Sequence, residues 1–149
     1  MTAQEARRRF AAGRVARLAT VDPGGRPHLV PIVFALAGET IYSVVDAKPK
    51  RTTELQRLQN VKSNPRVSVL VDHYDDADWS ELWWVRADGT ARVLDPAEPE
   101  ARGSVELLAE RHPQQRASGP VLAVDVERWS GWSARGCEDP GAHVKRPKG

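Results

Sequence analysis

The chain has 149 residues, with 22 Lys and Arg against 20 Asp and Glu and a net charge of +2. This length suits one domain with a substantial core. The balanced charge does not indicate nucleic-acid binding, and we expect none. One cysteine, Cys137, excludes an internal disulfide, and no Cys/His cluster has metal-site spacing. No apolar run approaches the ~20 residues of a membrane span. We therefore predict a protein of the cytoplasm.

The N-terminal half predicts a helix, three strands and a second helix. Thr2-Ala3-Gln4-Glu5 has the spacing of a capping box, so a helix is expected to about Ala12. Strands are expected at residues 15–21, 27–36 and 40–45, between turn sequences rich in Gly, Asp and Pro. A helix over residues 52–63 is expected to end before Pro65, because a residue that precedes proline disfavours helical geometry.

The C-terminal half predicts two strands, a helix and a last strand. Alternating valines predict strand four at residues 67–71, and an acidic loop follows. Strand five covers residues 82–94, and Asp88-Gly89 within it is compatible with either a hairpin turn or a bulge. A helix over 96–112 and strand six over 119–128 complete the pattern.

This element order predicts the fold class. Antiparallel strands joined by short turns dominate, and regular βαβ alternation is absent, which disfavours a doubly wound dinucleotide-binding fold. We predict a mainly β protein, a six-stranded antiparallel split β-barrel with about three peripheral helices. The barrel domain is expected over residues 1–133, followed by an irregular tail over 134–149.

A cationic segment joins strand three to the second helix. Lys48, Lys50 and Arg51 lie where the helix N-terminus presents unpaired N–H groups and partial positive charge. The segment therefore suits a phosphate group, and a solvated basic turn is the alternative.

Two further features suggest a bound molecule. Pro31 interrupts an apolar strand, which is typical of an edge position or of a site where a ligand approaches the backbone. The five tryptophans form two clusters beside loops, where they serve either core packing or contacts to a flat ring. They are Trp79, Trp83, Trp84, Trp129 and Trp132.

The usual catalytic motifs are missing. The sequence has no Gly-x-Ser-x-Gly elbow, its four histidines are scattered singly, and Cys137 has no evident base nearby. A cofactor that carries redox chemistry would account for this absence.

These segments resemble a known family. Gly25 to Phe34 is similar to the second-strand signature of the pyridoxamine-phosphate-oxidase-like split β-barrels. Lys48-Pro49-Lys50-Arg51 and Asn64-Pro65-Arg66-Val67-Ser68 also match. The resemblance covers roughly residues 3 to 132. It is closest to the actinobacterial branch that uses the deazaflavin coenzyme F420, in a subgroup with a Leu82-Trp83-Trp84-Val85-Arg86 strand.

The resemblance implies a homodimer with cofactor sites in grooves at the subunit interface. It implies that the cofactor phosphate is held by Lys48, Pro49, Lys50, Arg51 and Thr52. It implies that the ring system is lined by Pro31, Ile32, Val33, Ser43, Val44 and Val45. The partner subunit would close the site, with Trp83, Trp84 or Trp132 as contributors, and Arg57 or Lys62 would suit the glutamate tail of F420.

The implied activity is that of an F420-dependent oxidoreductase, which passes a hydride from the deazaflavin to a small organic acceptor. A proton would come from water, Tyr42 or Tyr74. Residues that bind the substrate phosphate of the vitamin oxidases have no convincing counterpart here. The alternatives are an FMN-dependent oxidoreductase of the same fold and a non-catalytic carrier of flavin, deazaflavin or haem.

Overall fold

The computed structural model describes residues 1–45, 52–115 and 119–136, with only the backbone described for 52–55. Seven antiparallel strands form one sheet, in the order β2-β1-β5-β6-β7-β4-β3. The strands are β1 Ala16–Val21, β2 Pro27–Ile32, β3 Ala35–Ala37, β4 Thr40–Val44, β5 Arg66–His73, β6 Trp83–Leu94 and β7 Val121–Ser133. The helices are α1 Ala3–Ala12, α2 Thr52–Ser63 and α3 Pro99–Arg111, with a short 3-10 turn at Trp79–Glu81.

The sheet curls into a split barrel. β2 and β3 are its two edges, yet only Val33 and Phe34 separate them in the chain. Three Cα steps span at most about 11 Å, so the two edges lie close together. The predicted second strand is thus divided into β2 and β3, which raises the strand count from six to seven. At the division Phe34 is fully buried, with its ring 4.8 Å from that of Phe10 in α1. The predicted fold class is confirmed.

The inner face of the sheet forms the main core. Side chains alternate along each strand, so Leu18, Val69 and Val85 point inward and are fully buried. Helix α1 contributes Phe10 to this core and α2 contributes Val61. Both helices therefore pack on the inner side of the curled sheet.

Helix α3 covers part of the outer face. Its Leu108 packs with Val44 of β4 and Ala123 of β7 in a second buried cluster. Helix α3 contacts β3, β4, β7 and the end of β6, where Leu94 joins the same cluster and Arg92 bonds to Glu100. The outer face of β2, β1, β5 and the first half of β6 is therefore left without a helix from the described part of the chain.

A β-bulge shifts the pairing of β6 with β7. Gly89 pairs with Val126 and Asp88 with Arg128, so Glu127 is an extra residue. A side chain at position 89 would place its Cβ 2.2 Å from the Asp125 carbonyl oxygen, so the close approach requires glycine. Of the two possibilities left open by Asp88-Gly89, the bulge is the one found.

β7 continues past the bulge to Ser133, beyond the predicted end at residue 128. The bulge inverts the side-chain alternation, so that Leu122 and Val124 point inward before it and Trp129 points inward after it. Trp132 consequently points outward.

Helix α3 begins at Pro99 rather than at residue 96, with proline at its first position, where a missing N–H is tolerated. Across the residues that the structure describes, no helix combines the length and apolar character needed to cross a bilayer.

Candidate functional site

A groove of about 650 Å³ runs over the uncovered outer face of the sheet. This volume is within the range of small-molecule sites, about 300–1,000 Å³. The groove is lined by Arg17, Ala19, Leu29, Ser68, Leu70, Asp72, His73, Tyr74, Leu82, Trp83, Trp84, Arg86 and Trp132.

Strand register brings the lining side chains together. Leu70 of β5 pairs with Arg17 of β1 on one side and with Arg86 of β6 on the other. Trp84 of β6 pairs directly with Trp132 of β7. Residues paired across neighbouring strands point to the same face, so these five side chains share the outer face of the sheet.

Trp83 lies at the rim of the groove, where its ring is held by two neighbours. The Arg9 guanidinium of α1 lies 5.6 Å from the Trp83 ring centroid. His73, its cross-strand partner, stacks on it with centroids 6.1 Å apart. Aromatic and cation–π contacts of this kind fix the ring orientation.

The charged groups of the groove are only partly neutralised. Arg17 Nη1 is 3.7 Å from Asp72 Oδ1, an ion pair too long for a hydrogen bond. Arg86 donates its Nε–H to Asp88 Oδ2 at 3.2 Å, and its guanidinium carbon is 6.0 Å from the Trp84 ring centroid. Both arginine side chains remain more than 40% exposed, at 48% and 44%.

Helix α2 is fixed to the barrel by a buried polar chain. Asn60 is fully buried; its Nδ2 donates to Thr20 Oγ1 at 3.0 Å, and its Oδ1 accepts from Gln56 Nε2 at 2.7 Å. Buried polar groups without partners cost about 1–3 kcal/mol, so this pairing restricts how α2 can rotate. The orientation of the α2 N-terminus depends on it.

The predicted phosphate-binding segment falls largely outside the described residues. Lys48, Pro49, Lys50 and Arg51 lie in the gap at 46–51, and Thr52 is described only as the first backbone position of α2. Their role in holding a phosphate stays a prediction.

The predicted ring-lining residues divide into two groups. Pro31 is exposed on the edge strand β2, opposite Arg17 of β1, and therefore lies on the same outer face as the groove. Val33 is half-buried between β2 and β3. The other four are buried, so that their side chains are not at the surface of the protomer: Ile32, Ser43, Val44 and Val45.

Trp83, Trp84 and Trp132, the tryptophans predicted as contributors to the cofactor site, all line the groove. Trp129, in the same sequence cluster as Trp132, is instead in the core, with its ring 5.2 Å from Phe10. Trp79 is 65% exposed.

The two tyrosines considered as proton donors lie in different settings. Tyr42 lies beneath α3 and its hydroxyl donates to Glu100 Oε2 at 3.3 Å. The pKa of this hydroxyl is raised, mainly because it is partly buried and secondly because of the nearby Glu100 charge. Tyr74 lines the groove, and its hydroxyl donates to Asp76 Oδ1 at 2.8 Å.

Arg17, Leu29, Leu70 and Arg86 were not identified as site residues from the sequence. Each is one member of an alternating strand, and alternation shows only that it points away from the core. The signal available in the sequence was the nearly all-apolar run from His28 to Phe34, which includes Leu29, because a strand with one solvated face would alternate with polar residues.

The fold and the groove together define a class: a curled antiparallel split barrel with an aromatic, cation-lined groove on its outer face. Within the described ranges, no group of three or more His, Cys, Asp or Glu side chains is placed to hold a metal ion. The sequence model of the pyridoxamine 5'-phosphate oxidase family matches residues 2–133. The chain belongs to this family.

Solved structures agree on the fold. Conserved hypothetical protein Rv2991 from Mycobacterium tuberculosis is 24% identical with a TM-score of 0.73, covering 99% of this chain and 94% of that one. A FAD-binding protein, mll6688, from Mesorhizobium loti is 22% identical with a TM-score of 0.68, covering 88% and 94%. HutZ, a haem storage protein from Vibrio cholerae, is 17% identical with a TM-score of 0.65, covering 89% and 95%. A comparison with curated proteins found no match.

Proposed function

We propose that the protein is a coenzyme F420-dependent reductase that acts as a homodimer on a small organic acceptor. The observation that carries this proposal is the groove, which combines three indole rings with two partly exposed guanidinium groups. Flat, anionic redox cofactors match such a surface through stacking and charge-assisted hydrogen bonds. Similarity to FAD-binding proteins supports a cofactor of the flavin type.

F420 has one phosphate and a tail of glutamates, so the proposal requires cations at two separate places. Arg57 or Lys62 would suit the tail. Lys48, Lys50 and Arg51 would hold the phosphate at the α2 N-terminus, whose orientation the Asn60–Thr20 bond controls. Trp83 and Trp132 would contact the ring.

When bound, F420 supplies hydride transfer, and the chain supplies binding, orientation and exclusion of water. Pro31 and Val33 are accessible enough to contact a ring. Ile32, Ser43, Val44 and Val45 would contribute through the backbone, because their side chains are buried. FMN on the same surface is the nearest alternative.

The uncovered outer face supports a homodimer. It presents Leu29 at 68% exposure within the groove, in a sheet whose inner face is covered by α1 and α2 and whose outer face is partly covered by α3. A second copy packed on this face would bury Leu29 and leave the groove as a cleft between subunits, so that each cofactor would contact both copies.

A non-catalytic carrier is the second candidate. The similarity to a haem storage protein supports it. A carrier would bind its cofactor tightly and show no turnover with any reducible acceptor.

The first experiment is a comparative titration. Purified protein is titrated with F420 and with FMN by isothermal calorimetry, and the tighter complex is tested for reduction of a panel of acceptors. The proposal requires tighter binding of F420 and turnover with at least one acceptor. Tighter binding of FMN would overturn the choice of cofactor.

The phosphate site is tested by the double substitution Lys50→Ala and Arg51→Ala. We expect F420 affinity to fall by about 2 kcal/mol or more, roughly 30-fold, because charge-assisted hydrogen bonds to phosphate are lost. Arg8→Ala with Arg102→Ala removes the same charge at two exposed positions elsewhere. If both double variants bind F420 like the wild type, these cations do not hold the phosphate.

A further inference from the structure

The groove has a surplus of hydrogen-bond donors. Among the described residues, the Arg17 guanidinium has no hydrogen-bond partner, and its one ion pair is the 3.7 Å contact with Asp72. Arg86 uses Nε for Asp88, and its two Nη groups have no described partner. Five N–H groups on each guanidinium require acceptors, so the groove offers unused binding capacity for an anion.

The indole N–H groups add to this surplus. Trp129, in the core, donates its Nε1–H to Glu39 Oε2 at 2.7 Å. No described partner accepts the indole N–H of Trp84 or Trp132 in the groove. Among the described residues that line the groove, Asp72 is the one carboxylate, against two arginines.

The apolar part of the groove is flat. Leu70 lies at its centre, between Arg17 and Arg86 on the two neighbouring strands. With strands about 4.8 Å apart, the two arginine Cα atoms are separated by about 10 Å across Leu70. Trp84 and Trp132 continue this surface on β6 and β7, so a planar molecule over Leu70 would have a cation on either side.

We propose that the groove binds a flat, conjugated carboxylic acid. Its ring system would lie over Leu70 and Trp84, beside the part of the groove at Trp83 and Trp132 that the proposed cofactor ring would contact, and its carboxylate would accept hydrogen bonds from Arg17 or Arg86. Its identification as the electron acceptor rests on the proposed reductase function; the binding itself does not, and is tested without any cofactor.

The test compares 2-naphthoate with 2-naphthamide, which has the same shape without the charge. Binding is followed by quenching of tryptophan emission and checked by calorimetry. We expect the wild type to prefer the acid by about tenfold or more, since a charge-assisted hydrogen bond is worth at least that factor. The Arg17→Gln/Arg86→Gln variant should lose this preference while it still binds the amide.

Two controls locate the effect. Arg8→Gln with Arg102→Gln removes the same charge at exposed positions outside the groove and should keep the preference. Trp84→Ala should weaken acid and amide alike, because it removes ring contact rather than charge. The single variants Arg17→Gln and Arg86→Gln should show intermediate preferences, which guards against a folding defect in the double variant.

The glutamate tail of F420 presents the same chemical group on a flexible chain. A γ-glutamyl tripeptide therefore serves as a third probe. Binding of the tripeptide as tight as that of 2-naphthoate would overturn the proposal in favour of a tail site.

Three other results would overturn the proposal: equal affinity for acid and amide in the wild type, no binding of either, or equal losses in the two charge-removal variants. Failure of both F420 and FMN to bind would instead overturn the proposed function, and it would leave binding of the acid to stand.

Discussion

At the residue scale, Arg92 links three elements through two carboxylates. Its guanidinium donates to Asp125 at 2.6 and 3.1 Å and to Glu100 at 3.0 and 3.2 Å. These hydrogen bonds lower the pKa of Asp125 and of Glu100. The network ties the first turn of α3 to β6 and β7, and Tyr42 joins it through Glu100.

The depressed carboxyl pKa values predict a pH dependence of stability. Their contribution is present above the unfolded pKa, about 4, and is lost as pH falls through the folded pKa. Because the side chains are 38–47% exposed, we expect Arg92→Met to cost only about 1 kcal/mol at pH 7. The difference in unfolding free energy between wild type and variant should close below about pH 4, as measured by urea unfolding.

Arg8→Met is the control, since Arg8 is exposed on α1. It should change the stability little at either pH. A wild-type advantage over Arg92→Met that persists unchanged at pH 3 would show that Arg92 acts through packing of its stem rather than through its charge.

At the element scale, the bulge between β6 and β7 determines which tryptophans reach the groove. Trp129 is inward and Trp132 outward only because Glu127 is an extra residue in β7. A one-residue change of register turns every following side chain to the other face. Without the bulge, Trp132 would point to the core and Trp129 to the outer face.

Gly89→Ala tests this dependence. The added Cβ would lie 2.2 Å from the Asp125 carbonyl oxygen, so the strands must separate or lose pairing. We expect a loss of about 1–3 kcal/mol in the free energy of unfolding, typical of overpacking. Near-UV circular dichroism should change as well, because the tryptophan environments depend on the same register.

Gly103→Ala provides the matched control. It lies within α3, and a Cβ there meets no atom within 4 Å. Alanine in a helix is favoured over glycine by about 1 kcal/mol, so this variant should be neutral or more stable. Equal destabilisation by the two substitutions would contradict the role given to Gly89.

At the scale of the whole molecule, the helices leave one side of the barrel uncovered. α1 and α2 pack on the inner face, and α3 covers the outer face over β3, β4, the end of β6 and the start of β7. An open sheet face with a 68% exposed leucine is a surface suited to another protein molecule.

The proposed homodimer predicts that Leu29→Asp yields monomers. A carboxylate on the packed face would have to be buried without a partner, which is costly. Light scattering after size-exclusion chromatography should report half the wild-type mass. Val15→Asp changes another exposed apolar residue, 41% accessible and outside β2, and should leave the dimer intact. A monomeric wild type would contradict the dimer directly.

Local chemistry explains what could be predicted from the sequence. The helices and strands are determined by interactions within a few residues, such as those of the turn residues, the alternating valines and the proline after α2. The split-barrel class follows from the order of these helices and strands. The family signature around Pro31 has the same local character, and the family model covers it.

The groove could not be predicted, because it depends on contacts between distant segments. In sequence, Leu70 lies about fifty residues after Arg17 and about sixteen before Arg86. Only the strand order β1-β5-β6 makes the three residues neighbours. Likewise, the sequence predicts that Ser43 and Val44 are strand residues, but it does not predict their burial. Ser43 is buried on the inner face of the sheet, and Val44 is buried under α3.

The sequence by itself determined the elements, the family and the polar and apolar periodicity of each strand, because these depend on neighbours along the chain. The tertiary structure decided which outward residues form one surface. Sheet order, the curl that joins β2 to β3 and the bulge at Gly89 are set by non-local packing. These three features place Trp84, Trp132 and the two arginines on one open face.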